Sequence, residues 1–475
     1  MEDPSIKHPS YLRFAPSWEL MRDAVAGEDD VKAKGTRYLP MKTGTSVIED
    51  QALKGRVYDL YKTRAEFPEV TAPTIRGAVG IMLGKPAKIE LPPELEHLRE
   101  RATLDGLTLD ALHRRMGMEV MTTGRYGLLP GLMEDGTPYL SGYVAESITN
   151  WDSTGGVPDY VVLDESGPVR DRATGLWTRL NKLRQCMAFD GPYRARVWEQ
   201  STGGAWAAGE EVAAATPRGQ PLDFLPFVFV GSLDLTPDPD DVPLYGLAKL
   251  AVRIYRLDAD FSFSLHMTSE PTPVAIGFDD PKQAIDDGIA PKTLGSSVLW
   301  ILPKDGDAKY LEFSGPGLEK QADAIQEALG RAAQFGAQVI QSGQSAESGE
   351  ALKLRAASQT ATLTSIAQTT AAGLERALRN TAIWVGADPE KVIVTPNLEF
   401  FDRSITAQEI QALVAAWQAG AMSHKALFDR LQQGGVIHED RSYEDEGKDI
   451  LNEGVGLDPL VSPGSQIPGA EGAIN

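Results

Sequence analysis

Two long segments with helical periodicity, separated by a short polar stretch, constrain the fold of this chain most. In residues 318–340, apolar and small residues recur at alternating spacings of four and three, which marks one face of a helix. The seam consists of Leu318, Ala322, Ile325, Leu329, Ala332, Gly336 and Val339. Residues 350–386 carry a similar seam and could form a helix of roughly 55 Å. Residues 341–349 between them have no large apolar side chain, so we expect a solvated, mobile loop. Long helices joined by such a loop favour a moving mechanical part over a catalytic pocket.

Length and charge set further limits on the chain. At 475 residues it exceeds what one hydrophobic core normally serves, so we expect two or more subdomains. The net charge is −21 and no Lys/Arg-rich run is present, which argues against a protein that grips nucleic acid by counterion release. The acidity fits two interpretations, namely solubility or a surface that repels a passing polyanion.

Cysteine content and hydropathy exclude other classes. The single cysteine, Cys186, excludes an internal disulfide framework and a multi-cysteine metal site. The first residues contain no hydrophobic signal region. No uncharged apolar run approaches the ~20 residues that a membrane span requires. We therefore expect a protein of cytosolic origin with no membrane partner.

The order of elements predicts an α+β fold. Helices are predicted up to residue 123 and short strands from there to residue 230, including strands over 178–190 and 224–230. An acidic, proline-punctuated loop over 234–243 marks a boundary. Residues 247–267 are predicted to form a helix, and residues 271–313 have strand and turn character, including a strand over 297–302. Residues 424–433 are predicted to form a short helix that ends at Gly434-Gly435. The chain beyond residue 439 is acidic and then rich in glycine and proline, which predicts disorder.

Motifs for catalysis are missing from the sequence. The six histidines are scattered, with no His-Glu-x-x-His pattern, and no Gly-x-Ser-x-Gly elbow occurs. We therefore expect no enzyme activity, no cofactor and no metal. One alternative stays open, because Asp238, Asp240 and Asp241 could together hold a divalent cation, as in a metal-dependent nuclease. The prolines around them favour a solvated boundary loop instead.

Several short phrases occur in an order that suggests a known family. They are Tyr38-Leu39-Pro40, Arg64-Ala65-Glu66-Phe67, Gly84-Lys85-Pro86, Gly124-Arg125-Tyr126-Gly127, Leu225-Pro226-Phe227-Val228, and Leu247-Ala248 followed by Tyr255-Arg256-Leu257-Asp258-Ala259-Asp260. In their order, and together with the long-helix pair, they make nearly the whole chain resemble the portal, or head-to-tail connector, protein of tailed double-stranded DNA bacteriophages.

The resemblance implies a phage portal fold with a definite division of the chain. That division is a wing body (1–243), a first stem helix (244–269), a clip (270–317), a second stem helix (318–340), a tunnel loop (341–349), a long wing helix with a wing strand (350–404), a short helical crown (405–438) and an acidic, disordered tail (439–475).

The resemblance also implies a function. Portals are rings, typically of twelve copies, that occupy one capsid vertex of the virion and conduct viral double-stranded DNA during packaging and ejection. The implied partners are other copies of the chain, the major capsid and scaffolding proteins, the terminase large subunit and a head-tail adaptor, and the portal would nucleate procapsid assembly. Another ring component of the head and neck, such as an adaptor, is the alternative within the same class.

The resemblance assigns roles to three sets of residues. The DNA-facing tunnel loop would contain Gln341, Ser342, Gly343, Gln344, Ser345 and Ser348. Lys353 and Arg355 would contact the DNA backbone, although solvated charges at the start of a helix are the alternative. Packing along the channel and between copies would use Ala322, Ile325, Leu329, Ala332 and Gly336, whose small members allow close helix approach.

Overall fold

The computed structural model describes residues 3–201, 203–269, 272–290, 300–311, 316–340, 349–398, 400, 407–438 and 441–452, and the statements below refer to these residues. The α-helices are α1 (Pro9–Ala26), α2 (Glu28–Ala33), α3 (Thr43–Ser46), α4 (Gln51–Arg64), α5 (Thr71–Met82), α6 (Leu109–Thr123), α7 (Tyr245–Ser269), α8 (Pro281–Asp286), α9 (Pro316–Ile340), α10 (Gly349–Val385), α11 (Ala407–Gln418), α12 (His424–Gln433) and α13 (Tyr443–Asn452).

The strands are short and antiparallel. They are β1 (Lys88–Glu90), β2 (Arg125–Leu132), β3 (Pro138–Val144), β4 (Ile148–Thr154), β5 (Val157–Asp164), β6 (Gly167–Arg170), β7 (Trp177–Leu180), β8 (Lys182–Met187), β9 (Arg194–Gln200), β10 (Trp206–Ala213), β11 (Val228–Gly231), β12 (Thr272–Ile276), β13 (Asp307–Leu311) and β14 (Ile393–Thr395). One sheet has the order β10-β9-β8-β5-β4 and another the order β11-β2-β3, and the pairs β1–β14, β6–β7 and β12–β13 stand apart.

The main core lies where helix α1 and the two larger sheets meet. Trp18 of α1 is fully buried, and its indole Nε1 donates a 2.9 Å hydrogen bond to the carbonyl oxygen of Thr123 at the end of α6. Phe227 and Phe229 pack edge to face with ring centroids 4.8 Å apart. Cys186 of β8 is fully buried in the same core. This core holds α1, the sheets and the end of α10 together, since Trp384 also belongs to it.

Helix α10 crosses the three-stranded sheet at very close range. Gly373 faces Val230 of β11, and a methyl group at this glycine would lie 2.5 Å from the Val230 Cγ2 atom. One turn earlier in α10, the Thr370 Oγ1 atom lies 3.2 Å from the His113 Nε2 atom, which joins α10 to α6. The Glu375 carboxylate accepts a 2.8 Å hydrogen bond from the Val394 amide, which attaches β14. The second half of α10 is therefore a fixed part of the body.

The chain divides into two compact units, Met1–Leu398 and Glu399–Asn475. In the described part of the second unit, α11, α12 and α13 come together around aromatic contacts. The Phe428 and Tyr443 rings meet at 5.4 Å, and the His424 Nδ1 atom lies 3.1 Å from the Tyr443 hydroxyl.

The predicted mixture of helices and sheets is confirmed, and several predicted bounds are corrected. The stretch 178–190, which we predict as one strand, contains the end of β7 and all of β8, because residues 167–180 form a separate hairpin. The predicted strand 224–230 begins only at Val228, since Pro226 cannot donate to a ladder. Of the predicted strand 297–302, residues 300–302 are not in a strand and the rest lies outside the described residues.

Residues 443–452 form helix α13 within a stretch for which the sequence predicts disorder. The Ser442 hydroxyl accepts from the Asp445 amide at 3.1 Å, so the first turn is capped. Glu444, Asp445 and Glu446 also place negative charge at the helix N-terminus, where it is favourable. Local capping and charge therefore stabilise this helix despite the overall composition.

Candidate functional site

The candidate site is the pair of helices α7 and α9, which pack antiparallel to each other. The start of α7 lies beside the end of α9, since a methyl group at Gly246 would lie 2.9 Å from the Phe335 ring. Leu247 and Ile254 of α7 form a buried cluster with Ala328 and Ala332 of α9. The partly buried side chains packed against this cluster are Val70, Leu250, Leu257, Ile325 and Leu329.

This arrangement locates the residues predicted to pack along the channel. Ile325, Leu329 and Ala332 belong to the cluster with α7 of the same chain, and Ala332 is buried. Gly336 approaches α5, where a methyl group on it would lie 3.2 Å from the Thr74 hydroxyl. Ala322 is partly exposed. The contacts that the structure shows for the seam are thus within one chain, and its role between copies stays a prediction.

The body holds α7 through polar contacts along its length. The Arg256 Nε atom donates to the carbonyl oxygen of Tyr38 at 2.6 Å, and the Tyr61 hydroxyl donates to Asp260 at 2.9 Å. Burial, followed by this hydrogen bond to a carboxylate, raises the pKa of Tyr61 well above its usual range. The Asp258 carboxylate accepts from the Glu66 amide at 2.7 Å. One side of α7 is therefore clamped to the first helices of the chain.

A buried arginine fixes the acidic loop that leads into α7. Arg125 is 1% exposed, and its guanidinium carbon lies 4.2 Å from the Trp151 ring centroid and 4.6 Å from that of Phe229. Its Nη1 atom donates a 2.6 Å hydrogen bond to the Pro237 carbonyl oxygen. Burial lowers the pKa of Arg125 to about 9, while Asp238 and Asp240 oppose that shift. Sequence reasoning did not single out Arg125 as a functional residue, although it lies in the Gly124-Arg125-Tyr126-Gly127 phrase beside the acidic loop in space.

The three aspartates of the proposed metal site have separate contacts in this loop. The Asp240 carboxylate accepts from the Leu233 amide at 2.7 Å, and Asp238 accepts from the Ser10 hydroxyl at 3.4 Å. The backbone carbonyl of Asp241 accepts from the Ser232 hydroxyl at 3.1 Å. Across the described ranges, no three or more His, Cys, Asp or Glu side chains converge where they could hold a metal ion.

The residues predicted to face DNA are only partly covered by the structure. Gln341, Ser342, Gly343, Gln344, Ser345 and Ser348 lie outside the described residues. Lys353 and Arg355 lie in the first turns of α10, and their contact with DNA stays a prediction.

A groove of about 480 Å³ lies between α7 and α9. Gly246, Lys249, Leu250 and Arg253 line one wall, and Arg331, Gln334 and Phe335 line the other. The Lys249 ammonium lies 4.8 Å from the Tyr245 ring centroid, and Arg331 forms an ion pair with Glu327 at 2.5 Å. The groove is therefore basic at its rim and apolar at its floor. Sequence reasoning missed this groove, because it depends on which sides of two distant helices meet.

None of the described helices combines the length and apolar character that a membrane crossing requires.

Comparison with known proteins finds a family match for the part of the chain that contains the long helices. The family model described as a domain of unknown function, DUF4055, matches residues 243–385. This span starts just before α7 and ends at the last residue of α10, so it contains all three long helices. No curated protein matches the chain.

Solved structures with some similarity come from gene transfer agent (GTA) particles. A chain from the neck of an empty GTA particle, computed with C6 symmetry, is 14% identical with a TM-score of 0.38, over 75% of this chain and 86% of that one. A chain from the virion of a native GTA particle is 16% identical with a TM-score of 0.37, over 77% and 89%. A chain from the neck of a native GTA particle, computed with C12 symmetry, is 15% identical with a TM-score of 0.36, over 74% and 86%. TM-scores of this size do not define the function of this chain.

Proposed function

We propose that the chain is one subunit of a portal ring, the head-to-tail connector at one vertex of a phage-type capsid. The observation that carries this proposal is the order and pairing of the long helices. Helices α7 and α9 each have 25 residues, or about 37 Å, and they pack antiparallel. The 37-residue α10 follows after a short polar stretch. In this proposal the three helices correspond to the two stem helices and the long wing helix that the sequence resemblance implies.

Charge also fits a ring through which DNA passes. Each copy contributes a net charge of −21, and repeating it around an axis multiplies the negative field. Such a channel holds phosphate weakly, so DNA can move in either direction. In this proposal the ring nucleates procapsid assembly with scaffolding and major capsid proteins, and docks the terminase and a head-tail adaptor. It has a structural role in the virion and no catalytic one.

The proposal predicts a large closed assembly. Twelve copies of the 51.4 kDa chain would form a particle of about 617 kDa. We expect native mass spectrometry to give one dominant mass near this value, and negative-stain images to show rings with a central hole. A chain that stays monomeric at high concentration would contradict the proposal.

The tunnel-loop assignment predicts that a deletion can impair DNA packaging without affecting ring assembly. Deleting residues 342–348 should leave ring mass unchanged, because the contacts that pair α7 with α9 come from residues of those two helices. DNA packaging or retention should fall, as measured by the DNA content of assembled particles. A variant with the same seven residues in scrambled order is the control and should retain packaging. Normal particle yield and DNA content in the deletion variant would remove the assignment.

A further inference from the structure

The groove between α7 and α9 is a basic surface on an acidic protein. Lys249 and Arg253 are exposed one turn apart on α7, and Arg331 faces them from α9. Within the described part of the chain, neither Lys249 nor Arg253 has an ion-pair partner. Phe335 stays 39% exposed at the same place. Because the whole chain carries a charge of −21, a surface that complements this groove is available on another copy of it.

Helix α9 carries acidic residues on another side. At 100° per residue, Asp323 and Glu319 lie about 120° and 160° around the helix from Phe335. Both are exposed, and Asp323 forms an ion pair with Lys320 at 3.0 Å in which the two side chains are 68% and 82% exposed. Such an exposed pair contributes little free energy, about 0–1 kcal/mol, so Asp323 can change partners readily.

One helix pair thus presents a basic groove on one side and an acidic surface on another. A contact between two different surfaces of the same chain is head to tail, and repeating it closes a ring when the rotation allows. A two-fold contact through the groove would instead bring cations against cations. The charge arrangement therefore favours the geometry that a ring requires.

The two surfaces also lie at compatible heights. Since α7 and α9 are antiparallel with Gly246 beside Phe335, Asp323 lies about five residues from the level of Arg253. Five residues correspond to about 8 Å along the helix axis. An extended arginine side chain and a slight inclination of neighbouring helix pairs cover this offset.

We propose that the groove lined by Lys249, Arg253, Arg331 and Phe335 binds the acidic side of α9, with Asp323, from a second copy of the chain. This inference rests on the proposed ring and names the contact that builds it. DNA is the competing occupant of a basic surface. The apolar floor formed by Leu250 and Phe335 favours a protein surface, because phosphate gains nothing from an exposed aromatic ring of this kind.

Charge exchange across the contact tests the inference. R253E and D323R should each raise the concentration for half-assembly on the order of tenfold, because each places like charges in contact. K249E should act in the same direction. The double variant R253E/D323R restores opposite charges and should assemble within about threefold of the wild type. R218E reverses an exposed arginine in the turn at residues 216–220 and serves as the matched control, with assembly unchanged. Mass photometry over a concentration series measures all five.

The outcomes separate this inference from the proposed function. A monomeric wild type would contradict the ring itself. Wild-type rings together with normal assembly of R253E, K249E and D323R would overturn the inference and leave the ring intact. Single variants that fail to assemble, with no recovery in R253E/D323R, would overturn the pairing of these two surfaces. Normal rings that lose DNA retention in R253E would assign the groove to DNA instead. Circular dichroism of each variant at subunit concentrations checks that the chain is folded.

Discussion

Substituting Gly373 with alanine should destabilise the body, although alanine is the better helix former. The gain in helix propensity is about 1 kcal/mol. Against it stands a methyl group 2.5 Å from the Val230 Cγ2 atom and 3.2 Å from Cγ1. Valine is stiff about χ1 and Val230 is 1% exposed, so the side chain cannot move aside. Overpacking of this kind costs roughly 1–3 kcal/mol. We expect a net loss of up to about 2 kcal/mol in the free energy of unfolding, measured in urea.

Two further variants show whether the close approach is the cause. G55A changes a glycine in α4 that has no atom within 4 Å of an added methyl group, and it should raise stability by up to about 1 kcal/mol. In G373A/V230A the added methyl group enters the space that Val230 leaves, so the double variant should be more stable than the sum of the two single effects. If the effects of G373A and V230A simply add in the double variant, or if G373A is stabilising, α10 does not approach β11 as closely as described.

Lowering the pH from about 6.5 to 4 should destabilise the protein through His113. This side chain is 3% exposed, and burial lowers its pKa to about 4. In the unfolded chain it takes up a proton below about 6.5, whereas the folded chain excludes that proton until pH 4. The unfolded state therefore binds more protons in this window, and stability falls as the pH falls. Between pH 6.5 and 4, this effect lowers the free energy of unfolding by about 3 kcal/mol.

The variant H113Q isolates this contribution from that of the carboxylates. Glutamine can still bond to Thr370 but does not titrate, so the loss of stability between pH 6.5 and 4 should be smaller by about 3 kcal/mol than in the wild type. Urea unfolding at a series of pH values measures the difference. If the wild type and H113Q lose the same stability between pH 6.5 and 4, His113 is already protonated or exposed in the folded chain.

The long helices could be predicted from sequence because each carries a continuous apolar seam. Helix α9 begins two residues before the predicted start and ends at the predicted residue, and α10 differs by one residue at each end. Helix α12 matches its prediction completely, since Ser423 caps its start and Gly434-Gly435 ends it. Periodicity and capping are local properties, so a single sequence shows them directly.

The partner of each seam could not be predicted in the same way. Periodicity identifies a buried face of α9 but does not say that α7 of the same chain covers it. Arg125 shows the same limit, because a charged residue next to a glycine is usually exposed, whereas the fold buries it against Trp151 and Phe229. The hairpin of β6 and β7 was missed because Trp177 is 68% exposed and its strand lacks the alternation of a half-buried one.

The burial of Cys186 gives the protein an internal reporter of core opening. Burial raises the pKa of this thiol to about 11, so almost no molecule carries the reactive thiolate at pH 7 while the core is closed. A thiol reagent can therefore modify the native chain only during openings that expose the core. The rate of modification then measures the free energy of those openings. If the proposed ring forms, the same measurement on assembled and on free chains would show how much assembly stabilises this core.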